Sequence, residues 1–316
     1  MNPATGVTPS AAPVTSYGTG LLTTEVRSVP GGYEWLRAPG PAAPAPFRPA
    51  TDDLRRLCED IGEHEGVRLV VGTETEAGRR YPAGHHESVA HYLLIGGPSA
   101  VPGGAPALRR ALRGTGALLA ALHRAPVPAT ALEPGPARGL LRLWGWLTEG
   151  TGAAAFAAHD GVHDVLRDWC ARALGAGGDG RAGAGDDRDP LLPPVLSHGA
   201  PGLGSLVLDP RDGAAVLLTG EDLCLAPWPF DLGWITGELA EMRWAHGGDP
   251  TEWQRLLGAL AEGYGRGPGD AQGRRWAALR IALHAHDTLA YSDAKSGAVG
   301  VYVHLAARLV RAGDAR

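Results

Sequence analysis

Cysteine, lysine and long apolar runs are the scarce features of this chain. Three cysteines stand far apart, Cys58, Cys170 and Cys224, and no CxxC pair occurs, so neither a disulfide framework nor a cysteine-rich zinc site is supported. Lys295 is the one lysine among 29 lysine and arginine residues. No stretch approaches the roughly 18 uninterrupted apolar residues of a membrane-crossing helix. The N-terminus also lacks the basic-then-apolar layout of a secretory signal. A net charge of −5 provides no basic field for nucleic acid. Walker A, His-Glu-x-x-His, Gly-x-Ser-x-Gly and Rossmann patterns are all missing. The expectation is a soluble, cytoplasmic protein with no nucleic-acid or membrane partner. What is abundant is Ala, Gly and Pro, with 47 glycines and 26 prolines, a bias in keeping with GC-rich coding.

At 316 residues the chain is long enough for two modest lobes around a substantial core. Residues 1–14, rich in Pro, Ala and Thr, read as a flexible lead-in. Gly18-Thr19-Gly20 then precedes the strand-like run Thr24–Val29, and a Pro30-Gly31-Gly32 turn leads into Tyr33–Arg37, a candidate hairpin. Thr51 is placed to cap a helix through Leu54, Leu57, Cys58 and Ile61. Val67–Val71 and Val89–Ile95 read as two further strands. Gly96-Gly97-Pro98 ends the second of them and looks like a hinge, which puts a small β-rich lobe at 15–97 and a mostly helical lobe at 98–316. Leucines at helical spacing run to His123, predicted to be a buried structural histidine. Residues 175–189 form a Gly/Asp-rich insert expected to be flexible. His85-His86 and the set His284, His286 and Asp287 are expected to be solvated polar positions, since residues two apart on a helix face different ways.

The most informative stretch is Leu196–Trp234: a strand, a loop opening on His198-Gly199-Ala200, the run Leu206-Val207-Leu208, a strand Ala214–Leu218, and Phe230-Asp231-Leu232. This layout resembles the catalytic segment of the aminoglycoside phosphotransferase family, and the resemblance implies an α+β, bilobal, protein kinase-like fold. Where the family places a catalytic Asp, an Asn and a metal-binding Asp, this chain has Ala200, Ser205 and Thr219. Phosphoryl transfer depends on those groups to orient the hydroxyl and to hold Mg²⁺ against the phosphates. Their joint loss predicts a degenerate member, not a phosphotransferase, with no cofactor and no metal. Arg37 stands on the strand that in the family ends in the phosphate-holding lysine, where Glu59 or Glu63 can pair with it. The resemblance gives His198 and Asp231 the work of holding the loop.

If chemistry survives, the candidate catalytic groups are His198, Asp231 and Arg37. The expected cleft consists of Gly18, Gly20, Ala200, Ser205, Thr219, Glu221 and Asp222. By resemblance to kinase-like proteins of thioether-peptide pathways, the expected substrate is a modified precursor peptide, with ring closure by thiol addition to dehydroamino acids. Two other readings stand beside it: a non-catalytic partner of a kinase or lyase, and a small-molecule kinase using Glu221 or Asp222 in place of the lost carboxylates.

Overall fold

A computed structural model describes residues 13–127, 135–175, 192–267, 270–293 and 296–314. The insert expected to be flexible lies almost wholly outside them, as does the lead-in before Pro13. Strands β1 (Pro13–Gly18), β2 (Leu22–Val29) and β3 (Gly32–Pro39) form an antiparallel meander. Helix α1 (Asp52–Ile61) follows, its first turn capped by the Thr51 hydroxyl, which accepts from Leu54 N–H. Next come β4 (Glu63–His64), β5 (Val67–Val71), β6 (Thr73–Glu74) and β7 (Arg79–Ala83). The first sheet runs in the order β1-β2-β3-β7-β6, all antiparallel.

Two expectations are corrected here. Residues 89–96 are not a strand: they form helix α2 (Val89–Gly96), with the Ser88 hydroxyl accepting from His91 N–H, Val89 and Leu93 buried one turn apart, and Gly97 at positive φ closing the end. A short apolar run fits strand and helix equally well by periodicity, and the Ser cap and Gly stop decide between them. The missing strand is β7, whose buried-exposed alternation is clear only in the fold. The last strand before the helices is therefore β7, ending at Ala83 upstream of the anticipated hinge at Gly97, and residues 84–88 lead from it into α2. The second correction concerns β5. It is a strand as expected, but it pairs in parallel with β10 and not with the first sheet.

The helical part continues with a 3-10 turn at Gly97–Ala100, α3 (Gly104–Arg124), α4 (Arg138–Thr148), α5 (Thr151–Ala155) and α6 (Val162–Ala173). The central segment gives β8 (Pro194–Ser197), β9 (Leu206–Leu208), β10 (Ala215–Thr219) and β11 (Cys224–Pro227). Helices α7 (Pro229–His246), α8 (Pro250–Tyr264), α9 (Asp270–Tyr291) and α10 (Ser296–Asp314) complete the fold. A second sheet, β4-β5-β10-β9, faces the first, and β8 pairs with β11.

Three apolar clusters hold these layers together. One joins α1, α3, α7 and α8 to the second sheet, and another joins α4, α6, α9 and α10. Helices α3 and α8 cross so closely that a Cβ on Gly263 would lie 1.8 Å from the Arg113 carbonyl oxygen. The third cluster, including Val26, Trp35, Tyr81, Val207, Val216 and Leu218, fills the space between the two sheets. Its inward rows follow from strand register, since Val26, Trp35 and Tyr81 lie directly opposite one another on β2, β3 and β7.

Candidate functional site

Beyond Arg37 the two sheets part around a cavity of about 490 Å³. β1 to β3 wall it above, the β8–β9 loop and the end of β10 lie below, and α2, α4, α7 and α9 provide its sides. The floor is fixed from beneath by Asp231, which is fully buried at the start of α7. Its Oδ2 accepts from the backbone N–H of His198 at 2.7 Å and from His123 Nε2 at 2.9 Å, and its Oδ1 accepts from Gly199 N–H at 3.1 Å. His123 in turn meets the Tyr264 hydroxyl through Nδ1. The loop can turn over Asp231 because residue 199 is glycine: φ is +90°, and a Cβ there would lie 1.8 Å from the Asp222 carbonyl oxygen.

His198 is equally committed. Its Nε2 donates to the Leu218 carbonyl at 2.9 Å, and its Nδ1 faces Ala200 N–H at 3.4 Å. Burial holds this imidazole below its ordinary pKa, so the neutral ring ties the loop to β10. His198 and Asp231 therefore stabilise the loop, as expected for a scaffold, and their hydrogen-bonding capacity is already engaged. Asp231 does not border the cavity.

Arg37 reaches the cavity from β3. Its carboxylate partner is neither Glu59 nor Glu63, both exposed, but Glu221. Its Nε lies 3.2 Å from Glu221 Oε1, and its Nη1 donates to Ser205 Oγ at 3.1 Å. Glu221 Oε1 also accepts from the Tyr81 hydroxyl at 2.7 Å. Burial raises the Glu221 carboxyl above its ordinary value, with Arg37 as the main opposing influence. Burial is the largest influence and works against the Arg37 charge, but Glu221, Tyr81, Tyr17 and Asp222 together outweigh it and the guanidinium stays cationic. Ala200, Ser205, Thr219, Glu221 and Asp222 border the same cavity as Arg37. Thr219 Oγ1 is buried without a partner.

Gly18 and Gly20 do not border the cavity. The hairpin tip is attached to α9 instead, with Gly20 N–H donating to the Tyr291 carbonyl at 2.6 Å, and the neighbouring Tyr17, Leu21 and Leu22 provide the wall.

Several lining groups were not singled out from sequence. Arg142 grips Asp287 with two bonds of 3.1 and 2.8 Å, Arg138 lies 3.4 Å from Asp222, and Arg280 donates to Glu238 at 2.7 Å while lying over the Trp234 ring. These pairs join residues far apart in the chain, so spacing gives no sign of them. Asp287 and His286 are consequently not a solvated face: His286 Nδ1 bonds Asp287, and His284 stacks on Tyr302 and bonds Glu241. His85 and His86 lie against each other at a tilt, with ring centroids 4.4 Å apart, beside Tyr33. Among the described residues no group of three or more His, Cys, Asp and Glu side chains is arranged to hold a metal ion.

Compared as a sequence, the chain matches no family model and no curated protein. Compared as a structure, it superposes on choline kinase LicA from Streptococcus pneumoniae over 96% of its own length and 95% of that chain, with a TM-score of 0.54 and 10% identity. It also superposes on spectinomycin phosphotransferase APH(9)-Ia, solved with ADP and spectinomycin, over 95% and 92%, with a TM-score of 0.52 and 13% identity. The fold is kinase-like. The bilobal α+β expectation therefore holds. No helix among the described residues is long and apolar enough to cross a membrane.

Proposed function

We propose that this chain uses the kinase-like fold without transferring phosphate, holding a modified precursor peptide in the inter-lobe cavity and promoting thioether ring closure in a natural-product pathway. The supporting observation is the Arg37 bridge. A guanidinium tethered to the chain spans Ser205 and Glu221 at the place where a kinase assembles an Asn, an Asp and Mg²⁺ around phosphates. Ala200 has no group to orient a hydroxyl, and the buried Thr219 hydroxyl offers no charge to a hard cation.

The reaction needs little beyond positioning, one base and one donor. A cysteine thiol gives its proton to the base, and its sulfur forms a bond to the β-carbon of a dehydroalanine or dehydrobutyrine. The π pair moves to the α-carbon and its carbonyl oxygen as an enolate. Proton return to the α-carbon completes a redox-neutral addition with no change in mass. Glu221 is the candidate base, because it borders the cavity and its bonds to Arg37 and Tyr81 both fall on Oε1. Burial makes that carboxylate more basic than an exposed one. Arg37 is placed to stabilise the enolate oxygen. His198 and Asp231 keep the floor in shape.

The test combines the purified protein with a dehydrated, cysteine-containing precursor and follows loss of free thiol by alkylation and mass spectrometry. Ring formation without a partner supports the reading. Binding without ring formation favours an escort of a kinase or lyase. ATP- and Mg²⁺-dependent ADP release with a small-molecule acceptor would overturn it in favour of a rearranged kinase.

A further inference from the structure

The apolar layer between the two sheets next to the 84–88 connection contains a large ring with a polar edge. Trp35 faces inward from β3, two residues before Arg37, with Val26 beside it on β2 and Tyr81 on β7. It is 1% exposed. Val207, Val216 and Leu218 of the second sheet belong to the same cluster, so the indole lies in a dry layer between the lobes. Its ring N–H is not wasted there. Nε1 donates to the His85 main-chain carbonyl, in the connection itself, at 2.8 Å. The open cavity begins only past this ring, and Trp35 does not border it.

A purine bound between two such sheets would need a flat apolar slot and a main-chain group at its edge to take an N–H. An indole is a fused five-six heteroaromatic of similar outline with one such N–H. We infer that Trp35 is a built-in occupant of a purine-shaped slot, satisfying the apolar faces and the His85 carbonyl in place of a nucleoside base. The inter-lobe cavity is thereby restricted to ligands that enter past Arg37. This holds whether or not the cavity takes a peptide.

Two consequences separate this from ordinary core packing. Shortening the side chain leaves a slot with a defined chemical preference, and the intact protein has no room for a base. In thermal-shift and calorimetric titrations, the wild-type chain is expected to show no response to adenosine, indole or ATP with Mg²⁺ at millimolar concentration. Trp35→Ala is expected to melt lower and to regain much of the loss with millimolar indole or adenosine, whereas cyclohexanol, which is apolar but not planar, gives little. Trp35→Phe keeps most of the bulk and gains no ligand. Its difference spectrum from wild type assigns the Trp35 indole proton by NMR, which is expected to exchange slowly and not to move when adenosine is added. That last measurement needs no folded Trp35→Ala protein. Wild-type binding of adenosine, a fast-exchanging indole proton, or a folded Trp35→Ala that ignores both heteroaromatics would each overturn the assignment.

Discussion

Asp231→Asn is the most direct perturbation of the site floor, because it preserves shape and removes only an acceptor and a charge. Three donors converge on the carboxylate: the backbone N–H groups of His198 and Gly199, and His123 Nε2. An asparagine has one oxygen. Its best placement is at the Oδ2 position, where it keeps two donors and points its own NH₂ at Gly199 N–H. An orphaned buried donor costs roughly 1–3 kcal/mol, and turning two charge-assisted bonds into neutral ones loses about 1 kcal/mol more. The expected destabilisation is about 2–4 kcal/mol, a large part of the 5–15 kcal/mol typical of a whole domain. Urea denaturation by far-UV circular dichroism measures it. Under conditions where the variant remains folded, its affinity for a precursor peptide should be close to wild type, since Asp231 does not border the cavity. A variant as stable as wild type that had lost ring closure would refute the scaffold assignment and return Asp231 to the reacting groups.

Arg37→Met removes the cation from a buried pair and leaves Glu221 uncompensated, with an expected cost of about 3–5 kcal/mol. Arg37→Lys should recover part of it, because an ammonium keeps the charge but lacks the planar fork that reaches Ser205 and Glu221 together. Denaturant midpoints of the two variants check the order. Two carboxyls give opposite pH signatures. Burial pushes Asp287 up, but its bonds to His286 and Arg142 outweigh that and hold it below its ordinary 3.8, so its stabilisation is present above that pH and lost on acidification. Glu221 lies above its ordinary 4.5, so the folded chain binds the extra proton and stability falls as pH rises through the interval above that value. In melting curves from about pH 3 to pH 8, Asp287→Asn should flatten the acid limb and Glu221→Gln the decline above it.

The architecture could be read from local patterns where those patterns are self-contained. The Thr51 cap, the Pro30-Gly31-Gly32 turn and the order His198-Gly199, Leu206–Leu208, Asp231 each lie within a few residues or follow the family layout, and each appears where expected. Val89–Ile95 reads as a strand because so short a run carries no decisive period, and the signals that separate helix from strand, the Ser88 cap and the Gly97 stop, lie outside it. In the site, residues tied to the central segment were found, whereas Arg142, Arg280 and Glu238 were missed and Asp287 was expected to be solvated, because their pairing spans 145 and 42 positions and exists only once α4, α7 and α9 pack. Trp35 was within reach. Period-two geometry places it on the same face as Arg37, and that alone puts a large aromatic between the sheets.

Installing the three groups that a phosphotransferase would need tests the proposed function. Ala200→Asp, Ser205→Asn and Thr219→Asp together supply a hydroxyl-orienting carboxylate and two metal-facing groups, and if those groups were all that separates the site from a kinase, this triple change would suffice. The surrounding structure argues that it does not. Arg37 is held between residue 205 and Glu221, so a second cation entering there meets a fixed guanidinium and the like-charge repulsion that goes with it. Magnesium arrives with its nucleotide and leaves with it; a guanidinium anchored in β3 does neither, and suits one developing negative oxygen better than a moving phosphoryl group. Trp35, meanwhile, still lies in the inter-sheet layer beside His85. The triple variant is expected to show no Mg²⁺-dependent ADP release in a coupled assay. If it hydrolysed ATP, the charge reorganisation around Arg37 and the filled slot would both be incidental, and the kinase reading would regain its place.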